Sequence, residues 1–358
     1  MTEANPRKSP QAAEGEPPTG LEEVLSLPAL ERFLAERLPA TEHRLRIEGQ
    51  AAAGSSNITV FMTRGAEHWV VRRPPAGSLL PTAHDVLREY RFISALYGTG
   101  VPVPEPIIAC EDPAIIGAPF YVMKRVDGVC LREYVPAELD TATERRRISE
   151  EAIDALAALH SVDWAGRGLT GKPEGYLDRQ IKRWSSQLEL TPTAQRLHGL
   201  EKVTAWIKDN RPESGQPTIV HGDWGLQNML FASAAPTSLR AVLDWEMATV
   251  GDPLADVAWF LLDWGIVPQG IHNPAHKITV REGFLRSDEM IARYQEKSGR
   301  QVENYKFYQV FGMWKLAIIG EGLYASYVAG TAPDPSVARL EHETLQQVER
   351  VLHLIESG

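Results

Sequence analysis

Apolar positions along this chain keep two rhythms, and the rhythm changes near Arg125. Leu27, Leu30, Phe33, Leu34 and Leu38 recur at helical spacing and predict an amphipathic helix over 21–38. Alternating segments at 45–48 and 58–62 follow, then a strand over 69–73 that stops at Pro74-Pro75, which cannot donate to a ladder. Residues 83–97 return to helical periodicity and close at Gly98. Two more strands are expected at 107–110 and 119–123. Beyond Glu144 the helical rhythm dominates, with helices expected over 148–160, 177–190, 200–208, 284–298, 303–327 and 337–356 and a helical region starting over 255–264. Between them, two short apolar runs near 219–220 and 241–243 are expected to pair as strands.

The pattern therefore predicts an α+β chain with a small sheet-rich lobe over 21–125 and a larger helical lobe over 126–358. At 358 residues the length suits two packed lobes better than one core. Residues 1–20 are rich in Pro, Glu, Ser and Ala and read as a disordered tail without a signal peptide. No run is long and apolar enough to span a membrane, so a cytoplasmic location is expected. A net charge of −10 argues against nucleic-acid or anionic-membrane partners, which need a basic face. Only Cys110 and Cys130 occur, and their spacing suits neither a metal knuckle nor a disulfide framework.

The chemistry concentrates where those two apolar runs end. The first leads into His221-Gly222-Asp223-Trp224-Gly225-Leu226-Gln227-Asn228, and the second into Asp244-Trp245-Glu246. In kinase-type phosphoryl transfer a loop Asp takes the proton of the acceptor hydroxyl, while the Asn of that loop and an Asp after the next strand hold the metal. The order Asp-x-x-x-x-Asn, strand, Asp has that spacing. It implies a small-molecule kinase with Asp223 as base and a magnesium ion held by the Asn228 carbonyl and the Asp244 carboxylate, both hard oxygen donors. Each of these residues alone would read as a turn or cap residue; the three together carry the reading. His221 is expected to be structural, holding Asp223 in place.

His-Gly-Asp-x-x-x-x-Asn followed by a strand and Asp-Trp-Glu resembles the aminoglycoside phosphotransferase family, related to choline and fructosamine kinases. The resemblance implies a protein-kinase-like two-lobed fold with a small antiparallel-sheet lobe and a larger helical lobe. It implies ATP, or GTP, as phosphoryl donor with Mg2+, and a small-molecule acceptor. Gly251-Asp252-Pro253 and Asp256 also match, with Asp256 bracing the catalytic loop; on the sequence alone Asp256 equally reads as a helix-start charge.

In the small lobe, Gly54-Ser55-Ser56-Asn57 occupies the hairpin where such kinases cover the nucleotide phosphates, although a plain hairpin turn reads as well. Glu89 resembles the acid that pairs with the phosphate-binding Lys of the third strand. That Lys is missing: the strand reads Val70-Val71-Arg72-Arg73. Arg72 is the positional match, but strand alternation cannot choose between the two arginines, and a non-catalytic nucleotide-binding module is the alternative. Met123 and Arg125 fall at the expected adenine hinge. For the acceptor, Arg179 and Arg183 on one predicted helix suggest an anionic group, with a solvated basic face as the alternative; Trp224, Trp259 and Trp264 are candidates to line the acceptor site, although tryptophan at helical spacing is more often core, and Glu246 is a further candidate. That helix and the segment Arg72 to Gly77 also resemble the phosphotransferase domains fused to acyl-CoA dehydrogenases, which suggests a hydroxy-acid or hydroxyacyl acceptor.

Overall fold

A computed structural model describes residues 25–39, 42–51, 57–75, 85–262, 264–266, 276–331 and 334–357. Ser55 and Ser56, the expected tail and the start of the first predicted helix lie outside the described residues. The chain divides into two compact units: one takes in the described residues up to Val129 together with Arg240–Glu246, the other Cys130–Leu239 and Met247–Gly358.

The first unit opens with helix α1 (Leu27–Ala35) and continues with β1 (Leu45–Gln50), β2 (Ile58–Arg64), β3 (Glu67–Arg73), α2 (Val86–Leu96), β4 (Pro106–Cys110) and β5 (Phe120–Lys124). The strands form one antiparallel sheet in the order β1-β2-β3-β5-β4. Its core packs Leu30, Phe33 and Leu34 of α1 with Val60, Met62, Trp69, Val71, Phe120 and Val122 of the sheet. Since Trp69 and Val71 face this core, period-2 alternation sends Arg73 to the same face and Arg72 to the other. Asp85 caps α2 by accepting from the Arg88 N–H at 2.9 Å. The segment Arg240–Glu246 joins this unit, with the Val242 N–H donating to the Pro102 carbonyl at 2.8 Å.

After β6 (Val129–Cys130), the second unit contains α3 (Ala142–Leu159), α4 (Tyr176–Glu189), α5 (Leu200–Asp209), β7 (Thr218–Val220), β8 (Met229–Phe231), then β9 (Leu239–Val242), whose last residues belong to the first unit, and β10 (Thr249–Gly251). It ends with α6 (Pro253–Phe260), α7 (His276–Thr279), α8 (Ser287–Ser298), α9 (Tyr305–Val328) and α10 (Leu340–Glu356). Its core joins Leu177, Ile181 and Trp184 of α4 to Val203 and Ile207 of α5 and Phe311, Trp314 and Ile318 of α9.

One expected pairing is corrected. β7 does not pair with the run at 241–243; it pairs antiparallel with β10, Ile219 opposite Val250. The reason lies in Gly251-Asp252-Pro253. A Cβ on Gly251 would lie 2.4 Å from the Tyr176 ring, so only glycine lets the strand pack there. Asp252 then caps α6 by accepting from the Leu254 N–H at 3.0 Å, and Pro253 opens the helix where no N–H is needed. A three-residue strand ending in a breaker leaves little periodicity to read.

Candidate functional site

In the second unit the loop after β7 carries Asp223. Gly222 adopts φ +87°, and a Cβ there would lie 3.0 Å from the Met247 Cβ, so the loop turns tightly at a residue without a side chain. Asp256, on the first turn of α6, fixes the turn: its carboxylate accepts from the His221 N–H at 2.6 Å and the Gly222 N–H at 2.9 Å. Burial alone would raise this carboxyl, but His160, His221 and the Gly222 N–H together hold it below its usual range. His160 is fully buried beside it, with Nε2 3.6 Å from Oδ2 and Nδ1 2.8 Å from the Tyr294 hydroxyl. Burial lowers the His160 imidazole. His221 Nδ1 accepts from the Asp223 N–H at 3.2 Å, so the imidazole supports the loop as an acceptor.

The Asp223 carboxylate is held from two sides. Trp259 Nε1 donates to Oδ1 at 3.0 Å, and Asn228 Nδ2 donates to Oδ2 at 2.8 Å. Asn228 Nδ2 also reaches the Asp223 carbonyl at 2.9 Å. With both amide protons so committed, the Asn228 Oδ1 is the atom left to accept or to ligate a cation.

In the first unit, Arg72 lies between two carboxylates. Its Nη1 is 2.5 Å from Glu89 Oε1 on α2, and its Nη2 is 3.7 Å from Asp244 Oδ1. Glu89 is 1% exposed. Burial pushes its carboxyl up to about 7 while Arg72 pulls the other way. Burial alone would lower the guanidinium, yet Glu89, Tyr121, Asp244 and Glu246 outweigh it and raise it, so Arg72 stays charged. Arg73 points to the opposite face, where it donates to the Ile116 carbonyl at 2.8 Å and the Pro74 carbonyl at 3.1 Å. The third dimension thus separates the two arginines that alternation alone left equal. Asp244 adopts φ +66°, a strained backbone for a non-glycine residue, and its buried Oδ1 has no hydrogen-bond donor.

Other candidates fall elsewhere. Asn57 Nδ2 lies 3.5 Å from Glu246 Oε2, and Arg88 donates to the Glu246 carbonyl at 3.2 Å. Met123 is a sheet residue, paired with Val70 and Pro106. The Arg125 N–H donates to the His68 carbonyl and its guanidinium pairs with Glu48 at 3.0 Å, which leaves its carbonyl rather than its N–H for a ligand. Trp224 is corrected from lining to core: it is 1% exposed and its Nε1 donates to the Ala152 carbonyl at 3.3 Å. Trp264, 2% exposed, is also core. Arg179 donates through Nη1 to the Glu174 carbonyl and through Nη2 to the Lys172 carbonyl, closing the loop before α4. Arg183 is exposed, its guanidinium 5.4 Å from the Trp184 ring centroid.

Sequence reasoning passed over Lys315. It stands in the apolar helix α9, donates to the Gly222 carbonyl at 3.1 Å and rests 4.1 Å from the Trp259 ring centroid. Burial lowers its ammonium to about 8, Asp223 and Asp256 opposing the shift. A single lysine in the run Phe311-Gly312-Met313-Trp314-Lys315-Leu316-Ala317-Ile318 was the available signal.

The model of the phosphotransferase enzyme family matches residues 49–296, and the chain belongs to that family. Acyl-CoA dehydrogenase family member 11 of Rattus norvegicus is 35% identical over 314 residues, covering 84% of this chain and 40% of the relative. The Homo sapiens protein of that name is 33% identical, covering 78% and 36%. The chain thus spans less than half the length of these curated relatives, and the expected likeness to phosphotransferase domains in acyl-CoA dehydrogenase family members is confirmed. Among solved structures, one from Ralstonia eutropha named for the aminoglycoside phosphotransferases superposes with a TM-score of 0.81 at 29% identity, covering 92% of this chain and 98% of the other. An aminoglycoside phosphotransferase in ternary complex with AMP-PNP and hygromycin B gives a TM-score of 0.55 at 17% identity, covering 92% and 98%, a likeness of fold. The fold is therefore the kinase-like one that the motifs implied.

Proposed function

We propose that this phosphotransferase moves the γ-phosphate of ATP, or of GTP, to a hydroxyl of a small molecule, with Asp223 as the base. The observation that carries the reading is the Asp223 carboxylate, fixed by Trp259 and Asn228 on a loop whose backbone Asp256 clamps. Such clamping aims the remaining lone pairs at an incoming hydroxyl. As the acceptor oxygen bonds to the γ-phosphorus, its proton passes to Asp223, and the bond from phosphorus to the bridging oxygen of the departing nucleoside diphosphate breaks.

The donor chemistry of the two proposed metal residues, each taken by itself, suits a magnesium ion. Asn228 Oδ1 and the donorless Asp244 Oδ1 are hard oxygens of the kind that cation takes. A bound magnesium ion would neutralise developing phosphate charge. Arg72 is read as the phosphate contact, a role its permanent charge suits, with Glu89 orienting it. An acceptor bearing an acyl chain, a hydroxy acid or hydroxyacyl compound, is supported by the names of the curated relatives.

The test is a melting series with ATP, GTP or neither, with and without magnesium, followed by a phosphorylation assay over an acceptor panel. A ligand at a hundredfold its dissociation constant stabilises by about 2.7 kcal/mol. Absence of any magnesium-nucleotide shift would remove the reading and leave a protein that keeps only the fold.

A further inference from the structure

Behind the Asp223 loop stand two buried side chains that the proposed transfer leaves unused, His160 at the end of α3 and Tyr294 of α8, each 0% exposed. Their rings meet edge to face at 5.6 Å, and the Tyr294 hydroxyl lies 2.8 Å from His160 Nδ1. The His160 carbonyl accepts from the Thr218 hydroxyl at 3.1 Å and from Arg300 Nη2 at 2.9 Å. Held at its backbone and at one ring nitrogen, the imidazole turns Nε2 toward Asp256 Oδ2, 3.6 Å away. That contact is long for a hydrogen bond but short enough for a dipole to act on a buried charge. The same carboxylate clamps the His221 and Gly222 N–H groups.

The partners decide where the protons sit. Burial, with Arg300 adding to it, lowers the His160 imidazole against the pull of Asp256 and Asp252, so the ring is neutral and carries one N–H. A proton on Nδ1 would point at the Tyr294 oxygen. The phenol proton would then have no acceptor among the described residues, and the Nε2 lone pair would face a carboxylate. With the proton on Nε2, the Tyr294 O–H donates to Nδ1 and the ring N–H points at Asp256. Only this arrangement leaves no buried donor idle and sets no acceptor against another.

We infer that Tyr294 is a positioning residue for Asp223: its hydroxyl fixes His160 in the Nε2–H form, and that N–H steadies the Asp256 carboxylate on the loop. The effect on turnover rests on the phosphotransferase reading; the effect on the loop does not.

The test uses the full chain with isotope-labelled histidine. At neutral pH the His160 ring, assigned by the loss of its signals in His160→Gln, should show the nitrogen shifts of the Nε2–H form. Tyr294→Phe keeps the ring and removes the hydroxyl, and should bring in the Nδ1–H form. Hydrogen exchange of the His221 and Gly222 amides should quicken by at least about tenfold in that variant, as their acceptor loosens. Hydrolysis of magnesium-ATP, with water as the acceptor, should lose about tenfold in kcat while KM for ATP stays within about threefold. Adding His160→Gln to Tyr294→Phe should restore part of both losses, because an amide keeps its donor whatever the phenol does. A tautomer unchanged in Tyr294→Phe, exchange that quickens evenly along α3 and α8, or a double variant worse than the single overturns the inference. Absent hydrolysis in the parent counts against the phosphotransferase reading alone, since the tautomer and the two amides are read without turnover.

Discussion

Two buried or half-buried cations, Arg72 in the first unit and Lys315 in the second, are held in opposite ways. Arg72 is locked against Glu89 with Asp244 close by, and its charge is permanent. Lys315 has aromatic faces and one carbonyl, and its ammonium lies at about 8. A cation already compensated by carboxylates is a fixed part of its site, and its removal strands a buried charge. One compensated by π-faces and a carbonyl keeps attraction to offer a ligand. The contrast teaches that a cation can be held by its own carboxylates or by π-faces and a carbonyl, and it can be attacked from both ends.

The largest effect is expected at Asp223, the proposed base. Asp223→Asn keeps the shape and a hydrogen-bonding oxygen but loses proton acceptance, so turnover with any identified acceptor should fall by at least about a hundredfold. The nucleotide melting shift should persist. Turnover retained in the purified variant would move the base elsewhere.

Next comes the locked cation. Arg72→Met leaves Glu89 buried without its partner, a loss of about 3–5 kcal/mol in comparable cases. The pH dependence fixes the cause. Burial raises Glu89 from 4.5 to about 7 in the folded chain. Its contribution to stability is therefore full below pH 4.5 and is lost as pH rises through about 7. Without Arg72 that loss deepens, so denaturant unfolding should show the variant's deficit growing from pH 5 to pH 8. A deficit independent of pH would mean that packing, not Glu89, is responsible. Arg73→Ala, which loses carbonyl contacts on the other face of β3, should leave nucleotide affinity nearly unchanged.

The same contrast explains what could be read from sequence. Asp223, Asn228 and Asp244 stand out because the chemistry proposed for them needs a fixed spacing along one short stretch of chain. The long helices and the sheet strands were legible because each has an apolar face, and their ends shifted by a few residues where caps decide: the helix expected over 148–160 starts at Ala142, behind the Thr141 cap. β10 was not legible, being three residues whose glycine is set by the Tyr176 ring. Nor was the role of Trp259 and Lys315, which depends on α6 and α9 meeting the Asp223 loop. The choice of Arg72 over Arg73 likewise needed α2 and α1 on opposite faces of the sheet. Periodicity reports that a residue has a buried side; it does not report what lies there.

Trp259→Phe tests the link between the two charges of the second unit. It preserves an aromatic face for Lys315 while removing the indole N–H from Asp223. A lost hydrogen bond to a charged group is worth about 1.5–3 kcal/mol, so turnover should drop by at least about tenfold. Unchanged turnover in a folded Trp259→Phe would show that the proposed base does not need the indole N–H.

The smallest effect concerns Lys315 and pH. Burial first, and Arg183 after it, lower the ammonium from 10.5 to about 8, against the pull of Asp223 and Asp256. A lysine lowered in this way loses its proton in the folded chain as pH rises through about 8, and between pH 7 and pH 9 its protonated fraction should fall about tenfold. Above about 8 the folded chain no longer carries a desolvated ammonium, so this group's unfavourable contribution to stability fades toward pH 10.5. Lys315→Arg stays charged over the whole window, so denaturant unfolding of that variant should lack the gain in stability that the parent shows between pH 8 and pH 10. A gain of equal size in that variant would assign the titration to another group.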